Sequence, residues 1–148
     1  MDDDLAWKVD LMFDYLSKID TAANILYCLP VKYEPATRDV RKQMYVSKDE
    51  YPYKFFPEYC LSPIYAATPS TVAQLAYATN TIPLVWLDDV WSNGIVAAEI
   101  GAKFRLLPSN PDHENFEPFL NGSAITQFFK AKEDGPMLFE LVNGQLLS

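Results

Sequence analysis

Ile64-Tyr65-Ala66-Ala67-Thr68-Pro69-Ser70-Thr71-Val72-Ala73-Gln74-Leu75-Ala76 decides the fold class. The first four residues are an apolar run that reads as a strand. Thr68-Pro69 follows as an N-cap with proline at the first helical position, where a missing N–H costs nothing. Val72, Leu75 and Ala76 then recur at helical spacing. A strand leading straight into a capped helix is the repeating unit of α/β folds, and the flanking sequence repeats the alternation. Leu84-Val85-Trp86-Leu87 is a further apolar segment that runs into Asp88-Asp89. A helix is predicted from Asp89 to Ile100, with acids at its N-terminus and Gly101 at C′. Lys103 to Leu107 reads as a strand. Beyond it, Asn143-Gly144 between the apolar runs of Met137–Leu147 predicts a hairpin.

Upstream, Asn24 to Leu29 reads as a strand stopped by Pro30. Before that, Val9, Met12, Phe13, Leu16 and Ile19 predict an amphipathic helix with Asp10 as its N-cap. Residues 31–43 carry Lys32, Arg38, Arg41 and Lys42 and read as an exposed loop. Met44-Tyr45-Val46 suggests a short strand, and Ser47-Lys48-Asp49-Glu50 matches a capping box for one helical turn. Tyr51–Tyr59, rich in proline and aromatics without periodicity, reads as an ordered loop.

A length of 148 residues suits one compact domain. The net charge of −8 argues against a general phosphate-backbone binder, which needs clustered Lys and Arg. Tyr59 to Leu87 is uncharged and long enough to span a bilayer, but Pro63, Pro69 and Pro83 interrupt it, so it reads as part of a soluble fold. No basic segment followed by an apolar run opens the chain as a secretory signal would. The single His113 lies in the proline-rich stretch Pro108–Pro118, which argues against a Ser-His-Asp triad, and one His without a close Cys pair argues against zinc. Cys28 and Cys60 are too far apart for a CxxC motif. They read equally as buried thiols or as one disulfide.

Two acidic clusters carry the candidate chemistry. Asp2-Asp3-Asp4 reads either as a solvated charge run or as a hard-cation site, since Mn2+ and Mg2+ take one or two carboxylates together with phosphate oxygens. Asp88-Asp89 reads either as helix-terminal capping or as a source of a general base. One acid suffices for capping, and two adjacent acids repel.

The order of these motifs resembles the β-1,3-galactosyltransferase family. Asp2-Asp3-Asp4-Leu5-Ala6-Trp7-Lys8 is similar to its DDD-V-F-V-N motif, and Tyr45-Val46-Ser47-Lys48-Asp49-Glu50-Tyr51-Pro52 to its YVS-x-x-E-YP segment. Phe56-Pro57-Glu58-Tyr59-Cys60 resembles YPPYC, and Asp88-Asp89-Val90 with Gly94-Ile95 resembles EDV…G-I. The resemblance implies an α/β GT-A fold, the Rossmann-like fold of nucleotide-diphospho-sugar transferases, present here incompletely. Residues 1–148 then read as the C-terminal portion of a catalytic domain, clearest over 2–104, with 105–148 a family-variable tail. The implied activity is transfer of galactose or N-acetylglucosamine from a UDP-sugar to an acceptor glycan hydroxyl, with inversion and a β-1,3 linkage. By matching position, Asp4 is the principal Mn2+ ligand and Asp2 assists it. Asp3 and Asp4 hold the nucleotide-sugar. Asp89 is the general base, and Asp88, standing where the family has Glu, lies near the acceptor. The implied setting is the lumenal side of the Golgi membrane, through an anchor expected in a preceding half that this chain lacks.

Where the family has the glycine-rich SG-x-GY, this chain has Leu61-Ser62-Pro63-Ile64-Tyr65, which predicts a reshaped loop near the sugar. That departure raises the alternative of a truncated or degenerate relative that binds sugar or a partner without turnover. Asn121-Gly122-Ser123 fits the N-glycosylation pattern, and equally a turn. An oxidising lumen would permit a Cys28–Cys60 disulfide, although either cysteine could pair with one in the preceding half.

Overall fold

The computed structural model describes residues 4–21, 24–130 and 134–146. They form a mixed α/β structure in two compact units, where length alone suggests one. The first is drawn from Met1–Ile19 and Leu107–Ser148, the second from Asp20–Leu106.

The second unit is a three-stranded sheet with helices. β2 (Ile25–Val31) lies at its centre, antiparallel to β3 (Tyr59–Ala67) and parallel to β4 (Lys103–Leu106). Pro30 is inside β2 rather than after it. It sits past the end of β4, which pairs only Ile25 to Cys28, so its missing N–H deprives no β4 carbonyl. α2 (Pro69–Ala78) begins as predicted, with the Thr68 side chain accepting the Thr71 N–H. The helix expected from Asp89 starts one residue earlier and changes pitch midway. α3 (Asp88–Val90) runs into a π-helical segment (Trp91–Ile95) and then α4 (Val96–Glu99). Gly101 stands at C′ with φ +64°, a conformation that a side chain would oppose.

Two apolar clusters fill this unit. Leu26, Cys28, Cys60 and Ala97 form one, in which Cys28 and Cys60 are joined as a disulfide between β2 and β3. Ala36, Val46, Tyr51, Phe56, Tyr59, Val85, Leu87 and Val90 form the other. The stretch replacing the family's glycine-rich segment is not a loop. It runs inside β3, opposite a register shift of β2 between Tyr27 and Leu29.

Met44-Tyr45-Val46 forms a single bridge, Thr37 to Tyr45, rather than a strand. What organises this region is Arg38, which the sequence places in an exposed loop. Its guanidinium donates to the carbonyls of Val46 (2.7 Å), Ser47 (2.9 Å), Tyr51 (2.7 Å) and Tyr53 (2.6 Å). The planar fork of arginine donors suits such a cluster of loop carbonyls. The capping-box residues close one turn: Ser47 Oγ accepts the Glu50 N–H (3.1 Å) and the Ser47 carbonyl accepts the Tyr51 N–H (3.0 Å).

The first unit joins residues from opposite ends of the sequence. β1 (Leu5–Trp7) pairs antiparallel with β6 (Thr126–Phe128), and β5 (Ser109–Asn110) lies parallel on the other side of β6. α1 (Val9–Leu16) follows β1 directly. Its N-cap is Lys8, not Asp10. The Lys8 N–H is held by the Ile125 carbonyl (2.9 Å), so β1 pairing fixes where the helix starts and moves Asp10 into the first turn. α5 (Glu117–Leu120) and α6 (Gly135–Leu146) complete the described elements. α6 replaces the hairpin predicted at Asn143-Gly144. Met137, Leu138, Leu141 and Val142 are spaced for one face of a helix, and Pro136 suits a first turn; the Asn-Gly signal needs two paired arms.

Candidate active site

Leu84 to Leu87 leads to the acid pair outside regular secondary structure, with Val85 and Leu87 buried and Leu84 and Trp86 exposed. Trp86 Nε1 donates to the Tyr45 carbonyl (2.8 Å) and Trp91 Nε1 to the Pro83 carbonyl (3.0 Å), pinning the segment on both sides. The N-cap of α3 is Leu87, whose side chain caps nothing. Asp88 and Asp89 therefore occupy the first two helical positions, where free N–H groups favour negative charge.

The two acids differ in their surroundings. Asp88 is exposed and its Oδ1 accepts the Asp89 N–H (3.0 Å), so this carboxylate takes up one of the free N–H groups at the helix terminus. Asp89 is half-buried and lies close enough to Tyr59 to oppose its ionisation. Tyr59 is 3% exposed and its hydroxyl donates to Glu34 Oε2. Burial, that hydrogen bond and the charges of Glu34 and Asp89 together push the phenol well above the usual tyrosine range. Tyr59 is thus a neutral donor between acidic neighbours.

Gly94, four residues after Val90, permits this packing. A Cβ there would lie 2.9 Å from Tyr59 Cβ and 3.3 Å from Pro57 Cγ. Asn93 beside it is buried, with Oδ1 lacking a hydrogen-bond partner among the described residues. π-helical turns with such features recur at functional sites. A cavity of about 200 Å3 is lined by Lys32, Tyr33, Phe56 and Glu58. Lys32 and Glu58 pair across it at 3.1 Å, and Tyr33 is held at φ 59°, unusual for a bulky residue. Phe56 is also packed in the cluster that contains Leu87 and Val90, the residues flanking the acid pair. A wider cavity of about 440 Å3 lies between α2 and α4, lined by Tyr77, Thr81 and Glu99 among others, and not by Asp88 or Asp89.

Asp4, in the first unit, is exposed on a turn before β1, and its carbonyl accepts the Phe129 N–H (2.9 Å). Asp2 and Asp3 lie outside the described residues. Among the described residues no three His, Cys, Asp or Glu side chains cluster as a metal site. The exposed Asp4 carboxylate is an accessible hard oxygen donor, of the kind a cation takes when it binds one or two carboxylates and completes its shell with phosphate oxygens.

Arg38, Glu34 and Asn93 have no motif that marks them in the sequence. Each matters through contacts with residues eight or more positions away, or through burial, which periodicity cannot report.

No helix among the described residues is long and apolar enough to cross a membrane. Comparison with curated proteins gives no match. A family model described as galactosyltransferase matches residues 1–108.

Proposed function

Since the chain belongs to the galactosyltransferase family, we propose that it is the GT-A portion of a hexosyltransferase moving galactose or N-acetylglucosamine from a UDP-sugar to a glycan hydroxyl with inversion, forming a β-1,3 linkage. The observation that carries this reading is the division between Asp88 and Asp89: one carboxylate accepts an N–H at the helix end, and the other is half-buried beside a neutral tyrosine. Asp89 accepts the proton of the acceptor hydroxyl. The hydroxyl oxygen bonds to the anomeric carbon, and UDP leaves with the electron pair of the broken C1–O bond. Asp88, exposed at the same helix end, contacts the acceptor. Tyr33, exposed at the edge of the cavity it lines with Phe56, offers a ring face of the kind on which sugar C–H groups stack.

Asp4, with Asp2, would hold Mn2+, and Asp3 with Asp4 the nucleotide-sugar. The ion would supply charge neutralisation to the leaving diphosphate. The buried Cys28–Cys60 disulfide supports an oxidising lumen, hence a Golgi lumenal setting.

Product formation from UDP-galactose and UDP-N-acetylglucosamine, with a panel of galactoside and glucosaminide acceptors, tests the reading. Asp89→Asn should lower turnover by about 10²–10⁴-fold, the usual contribution of a general base, while donor binding persists. A second reading, a sugar-binding relative without turnover, is favoured by the strand at Leu61–Tyr65 in place of the glycine-rich segment. It predicts acceptor binding without product from any donor.

A further inference from the structure

The chain contains one Asn-X-Ser/Thr triplet, Asn121-Gly122-Ser123, which the proposed transfer chemistry does not use. It closes α5. Asn121 is the C-cap, Gly122 follows at φ +81°, and the Asn121 N–H donates to the Glu117 carbonyl (2.9 Å). Asn121 Oδ1 accepts the Ser123 N–H (2.9 Å), and Ser123 Oγ donates to the Pro118 carbonyl (3.1 Å). The Ala124 N–H reaches the same carbonyl at 2.7 Å. The turn therefore employs the triplet's backbone N–H groups, the Asn121 Oδ1 and the Ser123 hydroxyl for its own closure, but not the Asn121 Nδ2. Asn121 is exposed, and its Nδ2 makes no hydrogen bond among the described residues. A substituent on that nitrogen would break no contact of the folded turn. Beneath it the chain is anchored by Phe119, Ala124 and Ile125, all buried, so the turn stays at the surface.

A second observation is independent of this turn. Cys28 and Cys60 are fully buried and joined, a state that belongs to oxidising compartments, where asparagine-linked glycans are also added.

We propose that Asn121 carries an N-linked glycan. In the transfer, Asn121 Nδ2 bonds to C1 of an oligosaccharide borne on a lipid diphosphate. The C1–O bond to the diphosphate breaks, the lipid diphosphate leaves with the electron pair, and an amide proton passes to a base of the host transferase. Ser123 completes recognition of the triplet, and Gly122, which is not proline, leaves the sequence acceptable. This inference rests on the lumenal setting proposed above, but not on hexosyltransferase activity.

The test directs the whole chain into the secretory lumen of cultured cells with a cleavable signal peptide, then treats it with an amidase that removes Asn-linked glycans. Wild type and Ser123→Thr should each lose the mass of one glycan. Asn121→Gln and Ser123→Ala should show no change on treatment. A wild-type chain recovered from the lumen without a glycan overturns the proposal, as does a glycan that survives Asn121→Gln. Asp89→Asn should be modified like wild type, and a glycosylated wild-type chain that shows no turnover would sink the transferase reading and leave this one standing.

Discussion

The two units differ in what holds each of them internally. In the second, Asp20–Leu106, the constraints are concentrated: a disulfide joins adjacent strands, and one arginine gathers four carbonyls from a loop without regular structure. In the first, the constraint is between distant segments, with Leu5 opposite Phe128. There a buried amide pair takes the place of a cross-link: Asn110 Nδ2 donates to Gln127 Oε1 (2.6 Å), and Gln127 Nε2 donates to the carbonyls of Asp112 and Phe128. The helix beside β1 contributes little apolar burial. Met12 is buried, whereas Val9 is 49% and Phe13 68% exposed. The unit carrying the candidate base is thus rigidified locally, and the unit carrying Asp4 depends on closing the longest loop in the chain. Loop closure must be compensated before such contacts stabilise anything.

Four changes test that contrast, with hydrogen exchange read separately on residues 24–31 and 59–67 and on residues 107–128. Replacing Cys28 and Cys60 together by Ala should cost about 3–4 kcal/mol, the loop-closure value for residues 32 apart. Protection should fall in the second unit's strands; an equal fall at residues 107–128 would dissolve the distinction. Arg38→Ala should come next, at about 2–3 kcal/mol, since charged hydrogen bonds contribute roughly 1.5–3 kcal/mol each but these carbonyls regain water in part. Arg38→Lys should recover little of it, because an ammonium cannot span the four carbonyls. A urea midpoint unchanged in Arg38→Ala would show that the loop is held by its aromatics alone.

The third change acts only at high pH. The folded state holds the Tyr59 proton more tightly than the unfolded chain does, so its contribution is intact below the free phenol value of about 10 and is lost as pH rises through the folded value. Tyr51 shifts in the same direction through burial. Tyr59→Phe should therefore flatten, without abolishing, the alkaline fall in melting temperature. An identical alkaline profile would remove Tyr59 from the argument. Smallest of all, Phe13→Ser should change stability by less than about 0.5 kcal/mol, as expected of an exposed side chain. A larger loss would mean that the α1 face is covered in solution.

What the sequence disclosed was local. Thr68-Pro69 and Gly101 announce helix ends because the cap chemistry lies in the residues themselves. The mixed α/β class followed from such signals, as did the family, whose model spans nearly the stretch on which the motifs fall. What stayed hidden depends on partners far along the chain. β6 is three residues with no alternation, recognisable only through β1 and β5. Asp10 looked like a cap until β1 pairing set the start of α1 at Val9. Asn143-Gly144 suggested a turn, but helical spacing on both sides prevailed. At the candidate site the acids were visible and their different surroundings were not, since these depend on the Asp88–Asp89 hydrogen bond and on Tyr59.

The most direct test of the proposed division of labour is calorimetry of UDP binding with and without Mn2+, on wild type, Asp4→Asn and Asp89→Asn. The prediction is heat that requires Mn2+, disappears in Asp4→Asn and persists in Asp89→Asn while turnover is lost. Equal Mn2+-dependent heat in wild type and Asp4→Asn, or none in a wild-type chain whose exchange protection proves it folded, would contradict it.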